Sequence, residues 1–170
     1  MNVAVIGATG KTGQRVTSEL LQRGHHVTAV VRNPSKVQSH KDVTIVTSDL
    51  SDAKQIASVL KGVDAVVSAY GAPADDAEQV ISVTRRITEA VKQTKQRLVA
   101  VGGAASLFIK LGVTVLAAGY VPEWGIPIDT AHNKVLEEIR QSGVNWTYFS
   151  PAAFSSLASA LANFASEKTI

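Results

Sequence analysis

Residues 7–13, GATGKTG, carry the chemistry most legible in this chain. Glycine lets a backbone turn tightly and leaves room for a phosphate, and the free N–H groups of a following helix attract its charge. Two phosphate cradles compete for the stretch. The Gly10-Lys11-Thr12 triplet has the ending of a nucleoside-triphosphate loop, but that loop needs an earlier glycine separated from Gly10 by four residues. The place falls on Val5, inside an apolar run, so the wrapping turn has no room. The Gly7, Gly10, Gly13 spacing suits a dinucleotide turn. Gly7 turns the chain out of a strand, Gly10 leaves space for a pyrophosphate, and Gly13 lets the next helix pack on the strand. The pattern is one residue longer than the commonest fingerprint. A simple helix start explains one of these glycines, not three in register. Thr9, Lys11 and Thr12 belong to the same turn and are candidate contacts beside the glycines.

The choice of dinucleotide falls on the end of the second apolar run, Val30-Val31-Arg32. An acid there would take the ribose 2′-hydroxyl of NAD; a guanidinium suits a 2′-phosphate and can stack on adenine. Arg32, with Lys36 close behind, predicts NADP in preference to NAD. The small residues of Ser68-Ala69-Tyr70-Gly71 end another strand and would let the backbone approach the same ligand, so Ala69, Tyr70 and Gly71 join the candidate binding set.

Catalytic candidates are fewer. Alcohol–ketone chemistry on such a scaffold uses a Tyr with a Lys four residues on, yet Tyr70, Tyr120 and Tyr148 are followed at that spacing by Ala74, Trp124 and Ala152. Thr130 and Lys134 have the spacing, but a Thr hydroxyl is too weak an acid to stand in for a phenol. Ser150-Pro151 lacks the glycines of a hydrolase nucleophile turn, and no His, Asp or Glu cluster has metal-ligand spacing. His132, near the start of a helix, can move a proton near neutral pH. Hydride transfer to an acceptor stacked on a nicotinamide asks less of the protein: position and a dry pocket. Phe108, Tyr120 and Trp124 are candidates for the wall of that pocket or for the core.

Elements that would position these residues alternate along the chain. Val3–Ile6, Val27–Val31, Val43–Val46, Ala65–Val67, Leu98–Val101 and Trp146–Phe149 read as short strands, mostly apolar throughout, as parallel strands buried on both faces are. Val16, Leu20 and Leu21 mark a first helix stopped by Gly24. Ile56, Val59 and Leu60 mark a second after a cap at Asp52, and Val80, Ile81, Ile87 and Val91 a third between Asp76 and Thr94. Val135, Leu136 and Ile139 mark a fourth that stops near Gly143. Alternation of this kind predicts an α/β sheet joined by right-handed crossovers. Residues 104–128, with Pro122 and Pro127, read as an irregular segment over a site.

Several motifs, in order, resemble one family: VIGATGKTGQRV, VTAVVRNPSK, TSDLSD, the strand end Gly102-Gly103-Ala104-Ala105-Ser106, and NWTYFSPAAF. They are similar to the atypical short-chain dehydrogenases/reductases of the NmrA-like and biliverdin-reductase-B or flavin-reductase-like branch. The resemblance covers residues 1–154 and implies a Rossmann-type doubly wound parallel sheet, order 3-2-1-4-5-6, truncated at its C-terminal end, with a bound NAD(P). It implies that Asp49, followed by Leu50, lies near the adenine, and that Ser106 sits where relatives place a substrate-contacting Ser. It also implies that His132 matches a His of the flavin-reductase branch. The activity it implies is NADPH-dependent reduction of a small acceptor such as a flavin or quinone. The other implied role is a sensor that binds NAD(P) without turnover.

Bulk properties fit this reading. The 170 residues are 45% hydrophobic and 18% charged, enough for one domain with its own core. The net charge of +3 comes from scattered Lys and Arg, so no nucleic-acid patch is expected. The absence of Cys removes disulfide and thiolate chemistry and fits a cytoplasmic location. No signal peptide or membrane span is expected, and oligomeric state is not legible. Residues 155–170 stand apart. Relatives in the branch continue past the SPAAF stretch with a sequence like PGERTGKFRLGKDN. One choice of codons for Leu157–Ile170, read one base earlier behind a C, spells that sequence. The expectation is an out-of-frame tail after a 1–154 domain.

Overall fold

The computed structural model describes residues 1–73 and 75–151. The stretch 155–170 lies outside the described residues. Six parallel strands form the central sheet: β1 (Asn2–Ile6), β2 (His26–Val31), β3 (Val43–Thr47), β4 (Ala65–Ser68), β5 (Arg97–Val101) and, after a two-stranded hairpin of β6 (Phe108–Lys110) and β7 (Val113–Thr114), β8 (Asn145–Phe149). Their order is β3-β2-β1-β4-β5-β8. With the hairpin set aside, this is the 3-2-1-4-5-6 order of a doubly wound sheet. The register runs without a slip: Ile6 pairs with Val30 on one side and Ser68 on the other, and Ser68 with Ala100.

Helix α1 (Lys11–Gln22) lies on one face; α2 (Ala53–Val59), α3 (Glu78–Thr94) and α4 (Ile126–Gln141) lie on the other. The division follows from the side chains. Alternate residues of β1 point to opposite faces: Val5 packs with Val27, Ala29, Val31, Val16 and Leu20, while Ala4 and Ile6 pack with Ile56, Leu60, Val80 and Ile87. β1 and β2 are buried on both faces, which is why they carry few polar residues. The chain moves outward from β1 to β3, then crosses to β4 on the other side of β1. At that reversal the loops leaving β1 and β4 diverge and open a crevice at the carboxyl ends of the strands.

Local signals act largely where the sequence places them. The Asp52 carboxylate accepts the Gln55 N–H at 2.8 Å and starts α2. Helix α3 begins at Glu78, after Ala77 and without a side-chain cap. The segment 104–128 is more regular than its composition implies. It holds a single-turn helix at Ala104–Ser106, the β6–β7 hairpin and another single turn at Glu123–Gly125. Phe108 (67% exposed), Tyr120 (70%) and Trp124 (80%) stand on its surface and belong to no core.

Candidate functional site

The turn after β1 is built by close approach. Gly7 sits at φ +78°, where a side chain is strained, and a Cβ on it would stand 2.7 Å from the Ala69 carbonyl oxygen. Its N–H donates to Val30 O at 3.2 Å, and Gly10 N–H donates back to Gly7 O at 3.0 Å. Gly13 is buried in α1 against the turn, its α-carbon facing Gly7 O and Ala8 with no space for a Cβ. Gly10 differs: a Cβ there would meet only Gly7 O, at 3.3 Å. It precedes the first turn of α1, which has no side-chain cap, so the first N–H groups of the helix stay available.

These features border one cleft of about 410 Å³. Gly7, Thr9, Gly10, Lys11 and Thr12 line its floor; Arg32 stands at the end of β2; Leu50 follows β3; Ala69, Tyr70 and Gly71 follow β4. Ten of the residues singled out in the sequence therefore meet in one crevice, at the point where strand order reverses. Val30, Val31 and Ser48 line it as well and carry no signal in the sequence beyond their place near strand ends. Ser48 shapes the turn: its Oγ accepts the Leu50 N–H at 3.2 Å and holds Leu50 at φ +61°. The Tyr70 hydroxyl donates to Gln79 Oε1 at 3.1 Å; burial raises its pKa, with the Arg32 charge pulling the other way.

Two residues expected at the nucleotide stand elsewhere. The Asp49 carboxylate is engaged in its own turn, accepting Ser51 N–H at 2.9 Å, and hydrogen bonding from Ser51, its side chain first and its backbone second, lowers the Asp49 pKa. It is absent from the cleft lining. Lys36 lies in a single-turn helix started by Asn33 and lines a separate groove against Gln14, Thr17 and Ser18 of α1. The chain turns at Pro34 before Lys36 can reach the side of the cleft that Arg32 occupies.

Ser106 and His132 are each bonded to the end of β8, Ser106 through Ser150 just after it and His132 through Tyr148. Ser106 Oγ shares a hydrogen bond of 3.0 Å with Ser150 Oγ. The Tyr148 hydroxyl donates to the His132 carbonyl at 3.0 Å and lies 3.4 Å from Nδ1 of the same residue. Burial lowers the His132 pKa, favouring the neutral ring. Burial pushes the Tyr148 phenol up to about 12; the Gly103 backbone offsets part of this and the Asp129 charge adds to it. Gly102 is what admits this phenol, because a Cβ there would overlap the ring. Neither Tyr148 nor Asp129 is singled out by sequence spacing, since their partners are brought by other elements. The parallel register pairs Ser68 with Ala100, so Gly102 and Gly103 leave the strand next to the one that Tyr70 and Gly71 leave.

A glycine turn feeding an uncapped helix, an Arg at the next strand and small residues at the reversal point fit a dinucleotide. Comparison with known proteins agrees. Residues 7–165 match the model of a family described as NAD(P)H-binding. The chain belongs to this family. It is 37% identical over 158 residues to the uncharacterized protein YwnB of Bacillus subtilis, spanning 91% of this chain and 73% of YwnB. A Streptococcus pneumoniae structure, provisionally assigned as an NADH-flavin reductase, superposes with a TM-score of 0.79 at 34% identity, covering 89% of this chain and 71% of that one. A Bacteroides thetaiotaomicron structure, provisionally assigned as an epimerase, gives 0.81 at 36%, over 89% and 71%. The family fits the NmrA-like and flavin-reductase-like branch that the motifs resemble. Among the described residues, no helix is long and apolar enough to cross a membrane, and no group of three or more His, Asp or Glu is placed to hold a metal.

Proposed function

We propose that this protein is an NADPH-dependent reductase that passes hydride to a small, flat acceptor of the flavin or quinone kind. The observation that carries the reading is the cleft. In a chain of an NAD(P)H-binding family, its floor is a glycine turn and an uncapped helix start, and its second strand ends in Arg32 rather than an acid. When bound, the nucleotide supplies the hydride. The chain's part is to hold it. The first N–H groups of α1, with Gly10 leaving space, take the pyrophosphate. Arg32 takes the 2′-phosphate of NADP in the fork geometry that suits it. Ala69 and Gly71 let the backbone approach the ribose nearest the reacting ring. Ser106 and His132 stand on the acceptor side, beyond β5. The similarity to the Streptococcus pneumoniae protein supports a flavin as one acceptor.

A second reading, an NAD(P)-binding sensor without turnover, is favoured by one observation. The Tyr–Lys pair of ordinary dehydrogenases is absent, and the Tyr148 phenol is directed to a backbone carbonyl rather than a Lys. One assay separates the two. Purified protein is mixed with NADPH and, in turn, FMN, dichloroindophenol and menadione. Oxidation well above the uncatalysed rate with any of them supports the reductase. Tight NADPH binding with no oxidation across the panel supports the sensor.

A further inference from the structure

Asp129 is an unusual carboxylate in this molecule. Among the described residues, the other half-buried acids each have a partner: Asp76 accepts from Gln79, Glu138 pairs with Arg85, and Asp42 faces His40. Asp129 is half-buried, and no hydrogen bond or ion pair reaches its carboxylate from a described residue. An acid partly withdrawn from water, with no cation beside it, is less favourable in its ionised form. Such a group persists most readily where it has a task.

Its position indicates what the task is. Asp129 and His132 are three apart on α4 and so share a helix face. Both lie against Gly103, where the chain leaves β5: a Cβ on Gly103 would meet Asp129 Oδ1 at 2.7 Å and His132 Cδ2 at 3.5 Å. On the other side, a Cβ on Gly125 would stand 3.9 Å from Oδ2. Two glycines thus border the carboxyl, together with the side chains of His132 and, beside Gly125, Val121. The titratable groups that face it are His132 from its own helix and Tyr148 from β8; the turn at Ala104–Ser106 brings no charge. Burial lowers the His132 pKa and so disfavours its cationic form, and a phenol carries no positive charge in either state. Burial raises the Asp129 pKa above the ordinary carboxylate value of 3.8.

We propose that Asp129, held against Gly103 beside His132, is the acid that protonates the acceptor as hydride arrives. This rests on the reductase reading and adds the proton's source to it. Hydride from the nicotinamide forms one new bond on the acceptor. The Asp129 O–H breaks, its proton goes to the acceptor's oxygen or nitrogen, and the resulting carboxylate takes a proton back from water. Acceptor plus NADPH plus one proton gives reduced acceptor and NADP⁺. His132 and Tyr148 set the neutral, poorly solvated surroundings that keep the acid protonated to a higher pH.

Asp129→Asn keeps the shape and removes the proton. Three measurements test it, two without any nucleotide. Carbon NMR of the carboxyl should place the Asp129 midpoint above 3.8. Because the folded pKa is raised, ionisation weakens the fold as pH climbs through it. Asp129→Asn should therefore melt above the parent at neutral pH, and the gap should close in acid. In the third, NADPH affinity should be unchanged, while menadione turnover falls about 100-fold and loses the parent's decline toward alkaline pH. Parent-like turnover with the parent's pH profile in Asp129→Asn overturns the inference alone, as does an ordinary NMR midpoint. A parent protein that binds NADPH and oxidises none overturns the reductase reading beneath it.

Discussion

Gly10 and Gly13 belong to one motif and do different work. A side chain on Gly13 would run into the Gly7 carbonyl and the Ala8 backbone, neither of which can yield. Gly13→Val should therefore cost more than about 2 kcal/mol, as overpacking of a rigid contact does, and a thermal melt will show it. A side chain on Gly10 meets only one oxygen at 3.3 Å and otherwise points into the cleft. Gly10→Val should leave the melt close to the parent's and abolish nucleotide binding by calorimetry. Equal binding in that variant would reduce GATGKTG to a turn. Arg32 makes a second prediction. Titration should show NADPH binding more tightly than NADH, and Arg32→Glu should narrow or reverse the difference, because an acid there favours a free 2′-hydroxyl. Equal affinities in the parent would refute the preference. The contrast with Lys36 shows the limit of reading single residues. Both are cations four apart on one loop, but the Asn33–Pro34 turn sends only Arg32 to the cleft.

Helices α3 and α4 are joined across their exposed sides by Arg85 and Glu138, with Arg85 Nε 2.7 Å from a Glu138 oxygen and a second guanidinium nitrogen on the other oxygen. This bidentate pair lowers the Glu138 pKa, chiefly through the Arg85 hydrogen bond. A depressed acid contributes stability above its unfolded value of 4.5 and loses it as pH falls through the lower folded value. Arg85→Met should thus lower the melting temperature slightly at neutral pH and leave it unchanged in strong acid; the same deficit at both pH values would assign the effect to packing. The pairing is an element-scale fact that no spacing in the sequence announces, since the two residues are 53 apart. Strands, by contrast, were legible, because burial on both faces demands largely apolar runs and β1 and β2 supply them. The segment before α4 was not legible. Its hairpin shows Phe108 to solvent, so the alternation that reveals a half-buried strand is missing. The cleft was largely legible because it is made by local turns at strand ends, whereas the group of Gly102, Asp129, His132 and Tyr148 arises only when β5, α4 and β8 come together.

At the scale of the molecule the cleft and the acid cluster are separate in sequence. Every cleft residue lies between Gly7 and Gly71, and the cluster beyond β5 lies between Gly102 and Ser150. This division gives the stretch 155–170 a testable place. We propose that it is read out of frame. The gene, sequenced from an independent source, should contain bases around the Phe154 codon that continue in the neighbouring frame as a sequence like PGERTGKFRLGKDN. If no frame gives such a continuation, the idea fails. The family match extends to residue 165, into this stretch, which counts toward an in-frame reading that the sequencing would confirm or overturn. A frame-restored chain should bind NADPH with the affinity of the present one, because the cleft lining among the described residues lies between Gly7 and Gly71. Its effect should fall on acceptor turnover, on the side where Phe108, Tyr120, Trp124 and Phe149 stand exposed around the strand ends. A change in nucleotide affinity without a change in turnover would mean that the two halves are not divided along the chain in this way.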